Sequence, residues 1–319
     1  MIGANLGLLF TAFTWATQIA AFDILLEHWD PYFLATLRYS WAAPVLLLAV
    51  KLTERGPLIP NFVPPHRLWL LGGVGIGLFS PCLIVGFAYS SPVMAAIFTA
   101  TSPAVAAIVA RVFFGTPIDR RMIPAIMFAF VGCSLATYDP TNETDPFTFG
   151  GGELLILVAN ACWSWYSIAA QRWLDGWSQI RITGVTLVYG TIAGIGIYIV
   201  AGLLGQADLS PEPARNMTEL GLHAWIALAC VCGGVATWNY GVKVLGVTVA
   251  SLFLNMVPIF ALVILAMLGQ WPTVTQLIGT ALVVLGLLTA QLRQLGLRRI
   301  AAEKPAEPLD GGAIRSSAR

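Results

Sequence analysis

Charge is scarce in this chain. Only 10% of its 319 residues are Asp, Glu, Lys or Arg, against about 25% in a soluble domain, and that deficit excludes an ordinary water-exposed fold. A formal net charge of +1 provides no basic face for a phosphate backbone, so nucleic acid is excluded as a partner. The cysteines Cys82, Cys133, Cys162, Cys230 and Cys232 lie in apolar segments and form no CxxC and no Cys/His spacing. They are read as packing residues, and no metal is expected. No cofactor motif is present either, and no cofactor is expected.

What fills the chain instead is apolar sequence, 57% of it. About 20 apolar residues cross the hydrocarbon core as a helix, and ten stretches qualify. They run from Ile2 to Phe22, Pro31 to Leu52, Leu68 to Tyr89, Val93 to Phe114, Met122 to Tyr138, Gly150 to Arg172, Ile180 to Leu204, Leu222 to Val242, Thr248 to Gly269 and Thr273 to Gln294. The first has no basic flank and no small-residue cleavage site, so it is read as a span and not as a signal peptide. Breakers such as "SSPV" (Ser90 to Val93) and "GQWP" (Gly269 to Pro272) separate the spans, and the loops are too short for a further domain. The polar tail, 297–319, is expected to be disordered.

Lys and Arg collect in cytoplasmic loops. Here Lys51, Arg55 and Arg67 follow the second span and Arg120 and Arg121 the fourth, whereas Asp139, Glu143, Asp145, Asp208, Glu212 and Glu219 mark the alternate loops. Both termini are therefore expected in the cytoplasm.

The chain also repeats itself. An offset of 148 residues sets Trp15 on Trp163 and Trp29 on Trp177; an offset of 155 sets Phe98 on Phe253, Pro103 on Pro258 and Pro117 on Pro272. Five spans per copy is an odd number, so the second copy crosses in the opposite sense. The expected fold is all-α and integral to the membrane: ten transmembrane helices in two inverted five-helix repeats, 1–148 and 149–296. Such repeats are a common plan for secondary transporters, with substrate bound where the copies meet.

Several stretches carry a resemblance. "LRYSWAA" (Leu37 to Ala43), "SSPVMAAIFTATSPAVAAI" (Ser90 to Ile108), "GVTVASLFLNMVPIFALVI" (Gly246 to Ile264) and "LVVLGLL" (Leu282 to Leu288) resemble signatures of EamA-type members of the drug/metabolite transporter superfamily. "ACWSWYSIAAQRW" (Ala161 to Trp173) and "VATWNYGVKVLG" (Val235 to Gly246) are similar to the sixth and eighth spans of its bacterial aromatic amino acid exporters. Where those exporters carry bulky aromatics before the fourth-span proline, this chain has Thr99, Ala100, Thr101 and Ser102. The resemblance implies export of amino acids, aromatic or other neutral ones, and related small metabolites across the bacterial inner membrane by alternating access. The partners expected are a small-molecule solute and membrane lipid, with a monomer as the working unit. A different cargo, drug or nucleotide sugar, is the alternative within the superfamily.

An integral membrane enzyme acting on lipid-linked substrates would need acids, histidines or an activated nucleophile clustered at one face, and the sequence shows no such cluster. A channel would need rings of pore-lining charge.

For the substrate, the candidates are mid-span and some are paired by the repeat: Trp15 and Gln18 on the first helix, matched by Trp163 and Tyr166 on the sixth, Phe79 on the third, Trp238 and Asn239 on the eighth, Phe98 and Ser102 on the fourth, and Asn255 on the ninth. Pro103 and Pro258 interrupt the fourth and ninth helices and are expected to act as hinges. Proton coupling needs a titratable group inside the membrane. Asp23 and Glu153 fall near outer span ends and His28, His66 and His223 at loop ends, which predicts a facilitator driven by the solute's own gradient.

Arg38 lies well inside the second span and opposite Thr186 in the repeat. A central Arg costs about 2.5–3.5 kcal/mol on insertion scales, so it needs partners. A structural charge bonded to loop carbonyls or Asp23 is expected ahead of a contact with substrate carboxylate.

Overall fold

The structure, a computed structural model, describes residues 2–59, 63–117, 120, 123–136, 150–211, 216–245, 253–254, 256–286 and 288. The chain is helical throughout them: α1 (Ile2–Leu26), α2 (Pro31–Thr53), α3 (Pro65–Gly72), α4 (Phe79–Ala88), α5 (Pro92–Ala100), α6 (Ser102–Phe114), α7 (Ile123–Ala136), α8 (Gly152–Trp173), α9 (Gln179–Leu203), α10 (Met217–Ala224), α11 (Gly234–Leu245), α12 (Met256–Met267) and α13 (Val274–Gly286). A wide π-helical turn, Gly73–Leu78, joins α3 to α4, and another, Trp225–Gly233, joins α10 to α11.

Among the described residues six helices are long and apolar enough to cross a membrane: α1, α2, the continuous stretch Pro65–Ala88, α8, α9 and Met217–Trp238. A seventh is the pair Pro92–Ala100 and Ala104–Phe114, bent by 51°. Where the fifth, ninth and tenth spans were expected, the described helices are shorter. At 1.5 Å per residue the 12 residues of α12 reach only about 18 Å. The tail, the "GVTVA" motif at 246–250 and Asn255 lie outside the described residues.

Local chemistry explains the breaks. Pro81 has no N–H to give the carbonyl four residues back, and the turn that widens before it contains Gly73, Gly75 and Gly77. In the same way Pro103 follows the interruption between α5 and α6. Helix starts are capped by Asp30, Ser91, Ser178 and Asn216, each accepting a backbone N–H from three residues on.

Packing is reciprocal between the halves. In the first half α1 lies against α11 and α12 of the second; α8, its counterpart, lies against α4, α5 and α6 of the first. The helices α2 and α9 pack on each other, antiparallel: Glu54 at the end of α2 meets Ser178 and Arg181 at the start of α9, and Asp30 before α2 accepts the N–H of Asp208 beyond α9. Small residues allow this closeness. A Cβ on Gly190 would overlap Ile76, and one on Gly77 would sit 2.7 Å from Ala193, so the turn after α3 rests almost backbone to backbone on α9. Large apolar side chains such as Phe13, Leu48, Phe113 and Leu203 project from the bundle, as a lipid-facing surface requires.

Candidate functional site

Two aromatic pairs occupy matching places in the two halves. Trp15 on α1 and Trp238 on α11 bring their rings to 6.1 Å; Trp163 on α8 and Phe79 on α4 bring theirs to 5.2 Å. All four side chains are half-buried. The wide turn Trp225–Gly233 takes part directly, since the carbonyl of Cys230 within it accepts the Trp15 indole N–H at 3.0 Å. Gly234 is pressed so closely to Trp15 that a Cβ there would lie 2.6 Å from the indole nitrogen. Tyr166 extends the second pair, 5.4 Å from Trp163, and its hydroxyl shares a 2.8 Å hydrogen bond with Thr186.

The other expected residues distribute as follows. Phe98 is buried in the apolar core, and Gln18 and Ser102 are half-buried. The side chain of Asn239 lies outside the description, as does that of Pro103; Pro258 is buried in α12. Between Phe98 and Ser102 the helix is interrupted, and the Phe98 carbonyl accepts both the N–H and the hydroxyl of Thr101. There the structure adds Asn160, buried one turn before Trp163, whose amide donates to the Phe98 carbonyl at 3.1 Å and to the Thr101 hydroxyl at 3.5 Å.

Arg38 is 1% exposed. Its Nε and Nη2 donate to the Ser80 hydroxyl at 3.1 and 2.9 Å and Nη2 donates to the Tyr39 hydroxyl at 3.0 Å, while Ser80 passes its own proton to the Ala35 carbonyl. The guanidinium also lies 4.5 Å from the Tyr39 ring centre and 5.4 Å from that of Phe22. The expected partner Asp23 is engaged elsewhere, accepting from Gln270. Arg38 reaches inward because α2 rests on α4, which puts Ser80 within range, and loop carbonyls are not involved.

A second layer was not foreseen. His223, placed at a loop end by the sequence reading, is 0% exposed, stacked 5.4 Å from Trp29 and edge-on at 4.8 Å to Trp41, with neither ring nitrogen hydrogen-bonded. Glu219, one turn earlier, is 5% exposed and accepts the Trp29 indole N–H at 3.0 Å. Glu153 is 2% exposed and accepts from the Ser90 hydroxyl at 2.8 Å. A facilitator was expected because the acids fall near span ends and the histidines at loop ends; Glu153 and Glu219 do stand in the first turns of α8 and α10, whereas His223 lies about a turn and a half into its helix. The missed signal is "NMTE", Asn216 to Glu219, a capping box that starts the helix at Met217 and carries His223 inward.

The EamA-like transporter family model matches residues 2–138 and again 150–290. The chain belongs to this family. As an EamA-like protein it is similar to the uncharacterized transporter YyaM of Bacillus subtilis, 30% identical over 291 residues that span 88% of this chain and 90% of that one. It is 25% identical to the uncharacterized transporter YrdR of the same organism, covering 92% of each. It is 23% identical to a protein of Streptantibioticus cattleyicolor named "Probable terminal-alkyne amino-acid exporter", over 92% of this chain and 95% of that one. A crystal structure at 18% identity superposes with a TM-score of 0.64, covering 93% of this chain and 98% of its own, which supports the fold alone. This EamA-like chain is a multi-pass membrane transporter and not an enzyme.

Proposed function

We propose that this protein is a ten-helix secondary transporter built of two inverted repeats, 1–148 and 149–296, with both termini in the cytoplasm. It exports amino acids, aromatic or other neutral ones, and related small metabolites across the bacterial inner membrane by alternating access. The observation that carries this reading is the reciprocal pairing of Trp15 with Trp238 and of Phe79 with Trp163. Two half-buried aromatic pairs at the seam between the halves, each beside a wide helical turn, suit an amphipathic solute that needs apolar contact and a few hydrogen bonds. Gln18, Ser102, Tyr166, Asn239 and Asn255 supply the polar groups, Phe98 backs the wall, and Arg38 is a structural charge. The similarity to a protein named as an amino-acid exporter supports the cargo class.

Counterflow in proteoliposomes tests the reading. Vesicles loaded with unlabelled phenylalanine or leucine should accumulate the labelled amino acid saturably, and W15A or W163A should lose at least tenfold in rate with normal folding. Absence of saturable counterflow for every proteinogenic amino acid refutes the cargo. In this reading Pro103 and Pro258 let the fourth and ninth helices rock, so P103A and P258A should slow exchange while leaving affinity unchanged; undiminished exchange refutes the hinge.

A further inference from the structure

Glu153 is the first-turn residue of α8, in the second half, and its partner Ser90 stands in the turn between α4 and α5, in the first. Three glycines press these segments together. A Cβ on Gly150 would overlap the Tyr89 carbonyl, one on Gly152 the Gly86 carbonyl, and one on Gly86 would lie 2.9 Å from the Gly152 carbonyl. A built contact between the halves thus surrounds a carboxylate whose Oε1 takes the Ser90 hydroxyl while Oε2, also buried, has no hydrogen-bond partner. A buried acceptor without a donor is costly and uncommon in native folds.

Glu153 also lines an open recess of about 450 Å3 together with Ser90, Tyr89 and Met94. A second recess of about 200 Å3 shares Ser90 with it and is lined by Asp23 and Glu27. Three carboxylates therefore border the two recesses, and neither lining includes Lys, Arg or His. The C-terminus of α4, at Ala88 and Tyr89, stands in the recess wall, so the negative end of a helix dipole lies beside the same space. A carboxylate oxygen and helix-terminal carbonyls are acceptors only, and the ligand group that satisfies them is a multiple donor carrying positive charge, an ammonium.

We infer that Glu153 is a cation-binding residue that takes the ammonium group of an amine-bearing solute in the recess beside Ser90. The ammonium displaces the Ser90 hydroxyl and so loosens the contact between the halves at that end. This rests on the transporter reading above and narrows its cargo to solutes with a free amine.

The test measures thermal stabilisation of the purified full-length protein by phenethylamine and isoamylamine, each against its matched alcohol. The expected result is saturable stabilisation by at least one amine and none by its alcohol. E153Q, of the same shape, should weaken that amine's binding tenfold or more, as loss of a charge-assisted bond does. S90A, which frees both carboxylate oxygens, should bind it several-fold more tightly, an effect that a purely structural Glu153 would not produce. Amines and alcohols that stabilise equally, unchanged amine binding in E153Q, or unchanged or weaker binding in S90A each overturn the inference. Amine binding without amino acid counterflow leaves the site standing and ends the exporter reading; counterflow with unchanged amine binding in E153Q does the reverse.

Discussion

Ser80 is the node on which the buried charge depends, and removing its one oxygen should cost more than removing the charge as well. In S80A the Arg38 guanidinium loses two of its three hydrogen bonds and keeps only the Tyr39 hydroxyl. No carboxylate pairs with it among the described residues. Each charge-assisted bond is worth about 1.5–3 kcal/mol, and an uncompensated buried charge typically destabilises by about 3–5 kcal/mol. S80A should therefore lose about 3–5 kcal/mol. Arg38→Met removes the ion together with its desolvation, places an apolar chain between the Phe22 and Tyr39 rings, and leaves Ser80 its own bond to Ala35. That variant should lose only about 1–2 kcal/mol. The double variant R38M/S80A replaces both partners and should be more stable than S80A alone, so the R38M substitution changes sign with its background.

Unfolding by SDS in mixed micelles, followed by helicity and tryptophan fluorescence, measures all three variants. A coupling of about 2–3 kcal/mol is expected. Simple additivity, with the double variant the least stable of the set, would refute the assignment of Ser80 as the counterpart of the charge.

His223→Phe should raise stability by about 1–2 kcal/mol, because two unpartnered buried nitrogens disappear and the ring keeps its packing on Trp29 and Trp41; a loss in the same unfolding assay would contradict it. Gly190→Ala should cost about 1–3 kcal/mol by forcing α9 from Ile76, whereas Gly196→Ala on the same helix, with open space around it, should be neutral or stabilise by up to about 1 kcal/mol. Equal effects at the two positions would argue against close packing as the cause. Asn160→Ala should cost only about 1 kcal/mol, since the Phe98 carbonyl keeps the N–H and hydroxyl of Thr101, and a loss above about 3 kcal/mol would mean that the amide alone holds the bend.

Much of the frame was legible in the sequence because it depends on local periodicity and self-similarity. Trp15 and Trp163 fell on one offset, Phe79 and Trp238 at mid-span, and the structure pairs them crosswise. The turn at Pro103 was legible for the same reason, a residue that cannot continue a helix hydrogen-bond ladder. What escaped was burial of polar groups whose partners lie far along the chain. Asn160 meets a carbonyl 62 residues away, Glu153 a hydroxyl 63 away and Glu219 an indole 190 away. The sequence reading left Glu219 in a loop and Glu153 near a span end, and gave Asn160 no role. Only the other half of the molecule, packed against each of them, makes it part of a buried layer. Helix length added to the error: starting the helix at Leu222 and not Met217 kept His223 at a loop, while five more residues carry it a turn and a half inside.

These long-range bonds have a common geometry that bears on how the halves could move. Ser90 with Glu153, Asp23 with Gln270 and Trp29 with Glu219 each join a first-half residue to a second-half residue near the same end of the helices, where α1 and α4 finish and α8 and α10 begin. At the opposite end of α2 the join is ionic: Arg181 sits 2.8 Å from Glu54, which also accepts from Ser178. Alternating access requires two states that differ by only a few kcal/mol. Hydrogen bonds of about 1 kcal/mol each, or somewhat more where charged, are the right size for that: enough of them to hold either end shut, and none so strong that a solute could not replace it. A cargo that carries its own donors can exchange for the Ser90 hydroxyl at Glu153 without leaving the carboxylate bare, whereas an apolar solute cannot. The polar contacts between the halves would then act as a selectivity step as well as a latch, distinct from the aromatic pairs proposed to hold the solute's apolar part.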